Sequence, residues 1–410
     1  MRLIKYITKY LLVAIFIGII IALYQLGVHQ IGVIRNNIFT GSTTLLIEGI
    51  ILLLLIMVII IYINKKNPGY YGSGIPQIEA YHNHNISFNP IKMLLLIITN
   101  SYYAFLTGFI LGSEGPSISI ATSIGMIFNK IFKDDDIELD AASGSAGFAC
   151  AFMSPLAGLF HLIEENKKLF SIKLILKGII IIAISFIVYY LINPHGILPY
   201  FESNYLPILF YIPLLVLIIL GIIIAKLYIM LILKIKDLNN KYKFMNYLTI
   251  VLAIMFMTFL KYLPYLANAG SELLNIIDLN ISLLIGLLIY RIIFTSLSTN
   301  ACVSGGIVLP TLAIGSILAG MVVSIFKSIW PDIINYQYIF IICGMMIVLM
   351  IVTKTPLTSF ILGLKCMKPS IILLPLFIAI GLSYLAIYLL KWNNVYHELE
   401  KRIIPRKKGE

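Results

Sequence analysis

The length of its charge-free runs constrains this chain more than any other feature. Residues 10–34, 49–64, 93–113, 178–201, 203–225, 245–260, 333–353 and 369–390 contain no Asp, Glu, Lys or Arg. About 20 apolar residues cross a bilayer as a helix. A water-soluble domain cannot hide this many such runs, so a multi-pass membrane protein in contact with the lipid bilayer is expected. Of the 410 residues, 60% are hydrophobic and 12% charged. Residues 292–326 form a longer uncharged run, interrupted by Gly305, Gly306 and Pro310. It reads as two or more segments meeting inside the membrane.

The net charge of +12 does not point to nucleic acid. The basic residues lie in short loops and at both ends: Lys5 and Lys9 flank the first span, and Lys401, Arg402, Arg406, Lys407 and Lys408 close the chain. The positive-inside rule then places both termini in the cytoplasm, with an even number of crossings. The first apolar run is too long for a signal peptide and reads as a retained span. Cys150, Cys302, Cys343 and Cys366 show no metal spacing and read as small apolar fillers. A single transport domain over residues 1–410 is expected.

The two halves carry similar pieces in the same order. Gly115-Pro116-Ser117-Ile118 resembles Leu309-Pro310-Thr311-Leu312, and Pro155-Leu156-Ala157-Gly158 resembles Pro356-Leu357-Thr358-Ser359. Internal repeats are a recurrent plan of transporters, with the substrate site where the halves meet.

Three segments combine glycines with a following proline: Gly72-Ser73-Gly74-Ile75-Pro76, Gly112-Ser113-Glu114-Gly115-Pro116, and Gly305-Gly306-Ile307-Val308-Leu309-Pro310. Proline suits the first turn of a helix, where its missing N–H costs little. A helix start leaves N–H groups unpaired and carries partial positive charge. Lipid offers those donors no partner, whereas an anion does. Taken singly, each segment is as well explained as an ordinary loop. Three together favour an anion site without a full positive charge.

These three motifs, in this order, resemble the signatures of the CLC chloride channels and transporters. Pro155 to Gly158, Ile163-Glu164-Glu165 and Pro356-Leu357-Thr358 extend the likeness over roughly residues 70–400. The resemblance implies an all-α integral membrane fold of many tilted, broken helices in two inverted structural repeats. These span about residues 40–195 and 205–391, with a C-terminal cytoplasmic helix and basic tail at 392–410. It implies a homodimer that exchanges chloride for protons, with no metal and no cofactor.

Glu114 follows a charge-free run. A carboxylate at bilayer depth costs several kcal/mol, at least ~2.5–3.5, unless it is paired, hydrated or protonated, so Glu114 is a candidate proton carrier. By resemblance it is the gating glutamate, competing with chloride for the anion site. Glu165 matches the inner proton-transfer glutamate of the exchangers, which family channels usually lack. Glu164 reads as a solvated helix end, and Glu79 as a supporting acid or a simple cap. By resemblance, Ser73, Tyr396 and the backbone N–H groups of Ile307 and Val308 hold a central anion. The N–H groups of Ser113, Gly115 and Leu309 line an outer one. Serine at 73 favours chloride, without excluding bromide or nitrate. Gly72, Gly74, Pro76, Gly112, Pro116, Gly305, Gly306 and Pro310 shape the backbone.

Three positions depart from the family pattern: Ser113 for a basic residue, Val308 for an aromatic, and Lys365 for an acid. Asp134, Asp135 and Asp136 read as a solvated loop, His82 and His84 as loop residues, and Glu48 as interfacial. A passive channel is the nearest alternative function. An intramembrane enzyme such as a serine protease is a weaker one, resting on Ser145 and His161. Small residues around Ser145 are as readily a helix-packing surface.

Overall fold

In the computed structural model the described residues are 2–67, 69–84, 88–242, 244–259 and 279–403. Arg406, Lys407 and Lys408 of the basic tail, and the side chains of His82 and His84, lie outside what is described. Sixteen α-helices are present among the described residues. In chain order α1 is Arg2–Thr40, α2 Thr43–Lys66, α3 Ile75–His84, α4 Pro90–Leu106, α5 Glu114–Phe132, α6 Ile137–Ala151, α7 Pro155–Glu165 and α8 Ile172–Ile192. They continue as α9 Tyr211–Lys241, α10 Met245–Met257, α11 Ile281–Asn300, α12 Val308–Lys327, α13 Gln337–Thr353, α14 Pro356–Lys365, α15 Pro369–Leu389 and α16 Val395–Ile403.

Eight helices among the described residues are long and apolar enough to cross a membrane. Large apolar side chains stand exposed along them, Leu191 at 78% and Leu389 at 68%. Such surface needs lipid or another apolar partner against it. The chain is a multi-pass membrane protein. Its interior is equally apolar but shielded: α12 and α13 are the most enclosed of the spans.

The long uncharged run over 292–326 does divide, as expected. α11 stops at Asn300, and α12 begins at Val308. The halves pack alike. α5 lies on α6, α6 on α7 and α8, and α7 on α8; correspondingly, α12 lies on α13, α13 on α14 and α15, and α14 on α15. Small residues let these helices approach: an added Cβ at Gly315 would lie 2.1 Å from Gly344 O, and one at Gly147 2.3 Å from Ser117 O. The two halves meet directly where α7 packs on α14.

That contact corrects the reading of Glu164 as a solvated helix end. Its carboxylate accepts from Leu357 N at 2.8 Å, Thr358 N at 2.9 Å and Thr358 Oγ1 at 2.6 Å. It therefore caps the positive end of α14, the usual favourable place for an acid. Lys365, at the other end of α14, donates to Phe152 O at the end of α6. The aspartate run is also not a free loop. Lys9 donates to Asp134 at 2.8 Å, Lys177 to Asp136 at 2.7 Å, and Asp136 caps α6 through Leu139 N.

Candidate ion-binding site

Six helix starts among the described residues satisfy a donor with the side-chain oxygen of the preceding residue. Ser42, Asn89, Asp136, Ser154, Ser171 and Asn280 each cap α2, α4, α6, α7, α8 and α11 with a side-chain oxygen. The starts of α5 and α12 carry no such cap, and neither do those of α9, α10, α13 and α15. Ser113 and Ile307 precede α5 and α12 and provide no side-chain cap. Their N–H groups point into the protein interior from a fully buried stretch: Ser113, Glu114, Ile307, Val308 and Leu309 are all 7% exposed or less.

The three glycine motifs converge on one another through their backbones. Gly72 N donates to Val303 O at 3.0 Å and Gly305 N to Gly72 O at 3.1 Å. Gly112 N donates to Gly306 O at 2.8 Å and Gly306 N to Gly112 O at 2.7 Å. These bonds stitch the start of α3, the start of α5 and the start of α12 into one small junction between the halves. Close approach demands the glycines. A Cβ on Gly115 would lie 2.5 Å from Ser73 O and 3.0 Å from Gly306 Cα. Gly74 has φ +81°, and a Cβ there would lie 1.7 Å from Ser119 Oγ. Pro76, Pro116 and Pro310 each fall in the first turn of their helices, where no N–H is required.

Into this junction point polar groups that no protein atom satisfies. Ser73 Oγ, Ser304 Oγ, Tyr228 Oη and Tyr396 Oη are buried without a bonding partner. Unsatisfied buried hydroxyls are costly in a native interior, so such a cluster marks a place built to meet a polar species. Tyr396 reaches it because α16 packs on α3. Arg402 holds α16 to α9 by donating to Asp237 at 2.9 Å, and within α16 Lys401 donates to Glu398 at 2.9 Å. The Lys401 ammonium holds the Glu398 carboxyl below its ordinary value. A cavity of about 400 Å³ opens to Ser73, with Lys236 and Arg402 among its walls.

Glu114 has 0% exposure. Its carboxylate faces the backbone N–H groups of its own residue and of Leu309, beyond full hydrogen-bond geometry. It lies close over two glycines: an added Cβ would stand 2.0 Å from Glu114 Oε2 at Gly112 and 3.3 Å at Gly306. Glu114 thus lies between the starts of α5 and α12. Glu165 stands apart from this junction, at the end of α7. Its partners are the side chains of Glu79, on α3, and Asn394, just before α16.

Sequence reasoning missed Ser304, Tyr228 and Gln25. Ser304-Gly305 repeats Ser73-Gly74, a signal that was legible. Gln25 was not, because it comes from distant α1. Its amide accepts from Ser113 Oγ at 3.1 Å and donates to Ser117 Oγ at 3.1 Å. It occupies the side of Ser113, where the family pattern has a basic residue. Ser145 and His161 do meet, with Ser145 Oγ 3.2 Å from His161 Nδ1. Both are buried and the imidazole stacks on Phe148 at 4.3 Å, the arrangement of a packed core histidine.

A family model described as voltage gated chloride channel matches residues 52–387. The H(+)/Cl(-) exchange transporter ClcA of Vibrio campbellii is 27% identical over 361 residues, covering 84% of this chain and 77% of that protein. The structure of a slow cyanobacterial Cl-/H+ antiporter superposes with a TM-score of 0.85 at 21% identity, covering 97% of both chains. That of a CLC-type fluoride/proton antiporter superposes with a TM-score of 0.68 at 16% identity, covering 92% of this chain and 94% of that one. The likeness spans both halves and all three glycine motifs, and the chain belongs to the voltage-gated chloride channel family.

Proposed function

We propose that this protein is a secondary active antiporter that moves chloride one way across the cell membrane and protons the other. The observation that carries the proposal is the presence of two carboxylates in different surroundings. Glu114 lies among uncapped helix starts, and Glu165 lies beside Glu79 and Asn394. The names of the relatives support the same reading.

In this reading a chloride ion meets Ser73, Tyr396 and the N–H groups of Ile307 and Val308 at a central position. It meets those of Ser113, Gly115 and Leu309 at an outer one. Both rely on helix-start dipoles and hydroxyls rather than a fixed charge, which lets the ion leave as well as bind. Glu114 competes for the outer position as a carboxylate and withdraws when protonated. Its proton exchanges with the far side by way of Glu165, with Glu79 as support. Lys236 and Arg402 draw anions toward Ser73 through the cavity they line. Bromide and nitrate fit the same donors.

The halves act as two inverted repeats, about residues 40–195 and 205–391, in one transport domain with both termini cytoplasmic. The protein works as a homodimer with a pathway in each subunit and as a transporter rather than an enzyme.

The test is a flux measurement on purified protein in liposomes, with a chloride gradient and no proton gradient. Proton movement driven by chloride, lost in Glu114→Gln and Glu165→Gln while chloride flux persists, is the expected result. Chloride flux without linked proton movement in the wild type would make the protein a passive channel. Absence of anion flux from folded protein would overturn the transport reading, and Ser145→Ala would then test the enzyme alternative.

A further inference from the structure

The contact between α3 and α16 gathers a second set of donors away from the glycine junction. Glu79 stands on α3, while His397 and Glu400 stand one turn apart on α16. One ligand atom from each lies within 4.8 Å of the other two. His397 Nδ1 is 2.9 Å from Glu400 Oε2. The Glu400 side chain is fully buried, and that of His397 keeps 47% of its exposure.

We propose that Glu79, His397 and Glu400 bind one divalent transition-metal ion of the zinc class. One imidazole and two carboxylates are a donor set suited to zinc, and their two negative charges match the ion. Donor atoms ~2.0–2.2 Å from a tetrahedral ion stand roughly 3.4 Å apart. The His397–Glu400 pair is already near that spacing, and rotation of the Glu79 side chain closes the remainder. The exposed His397 ring leaves a route for the ion and room for a water as fourth ligand. The nearby basic groups of α16 do not compete for the place: Lys401 bonds Glu398, and Arg402 bonds Glu398 and Asp237.

The cluster joins α3 to α16, and it is connected to the ion path. Glu79 is also a side-chain partner of Glu165. A metal that takes the Glu79 carboxylate removes that partner. This consequence rests on the exchange reading given above: metal loading slows the proton arm.

The experiment has two arms. Tag-free, full-length protein in detergent is titrated with Zn²⁺ by calorimetry, as wild type, His397→Ala and Glu79→Gln. One saturable site in the wild type, weakened at least ~10-fold in both variants, is expected. Equal affinity in wild type and His397→Ala, or no saturable binding, overturns the site. His397 is half exposed, so its replacement leaves the fold intact, and circular dichroism with size-exclusion elution verifies this. In the second arm Zn²⁺ is added to liposomes and chloride-driven proton movement is followed. Inhibition of the wild type but not of His397→Ala supports the regulatory link. Zinc bound without any change in proton movement overturns that link alone. Failure of wild-type proton movement before zinc is added overturns the exchange reading and leaves the binding result intact.

Discussion

The outer and inner carboxylates differ in what holds them. Glu114 is enclosed on every side yet faces only backbone N–H groups and two glycines. Glu165 is more open, yet its partners are the side chains Glu79 and Asn394. The first is confined by shape and dipole, and a neutral or charged competitor can displace it without breaking a side-chain bond. The second is fixed by partners on two other elements, one of which, Asn394, leads into the helix that carries Tyr396. This difference is what the proposed roles require: Glu114 is held by backbone alone, and Glu165 by side chains from two other elements.

The largest test of this difference is Glu114→Gln. It removes the titrating group, and chloride-driven proton movement should fall on the order of 100-fold or more, while anion flux persists. Glu165→Gln should abolish proton movement to a similar degree. The two variants separate when external anion is varied. Glu114→Gln should alter anion affinity, measured by calorimetry, whereas Glu165→Gln should leave it unchanged. An equal change in both would erase the distinction between a gate and a relay.

Gly112→Ala probes the space alone. Its Cβ would fall 2.0 Å from Glu114 Oε2, so the carboxylate must move aside. Coupled flux should drop about 10-fold, as expected when a reacting group is misplaced by an ångström or more. Retention of wild-type coupling would mean that the observed resting place of Glu114 is unimportant.

Glu164→Gln should act on stability instead. It loses the charge that caps α14, which costs about 1 kcal/mol and lowers the melting temperature in detergent by a few degrees. Proton coupling should be kept. Loss of coupling in this variant would move the inner role from Glu165 to its neighbour. The smallest effect concerns pH. The Glu398 carboxyl is held below its ordinary value by Lys401, so its contribution to the stability of α16 is present at neutral pH. That contribution is lost only as pH falls through the lowered value. Elution and tryptophan emission of the folded protein should therefore stay constant down to the ordinary carboxylate range.

Much of this protein was legible in its sequence because bilayer physics leaves few options. Runs of about 20 uncharged residues become spanning helices, and glycine followed by proline starts a helix where backbone must pass closely. Glu114 could be singled out because a carboxylate beside such a start has few structural explanations. The positions of Gly72, Gly112 and Gly306 followed from motifs, but their mutual hydrogen bonds did not. They join residues more than 190 positions apart, and no local pattern encodes such a pairing. For the same reason Gln25 went unseen beside Ser113, and Glu164 was read as solvated. The charge of Glu164 and its place near Lys167 are those of any helix end at an interface. Only the approach of α14, brought there by the packing of one half on the other, gives its carboxylate three donors. Sequence determined which segments lie in the membrane and which residue types gather at the glycine junction, through the cost of burying charge and open backbone. The tertiary fold alone decided which of those residues face one another, because that depends on contacts between elements far apart in the chain.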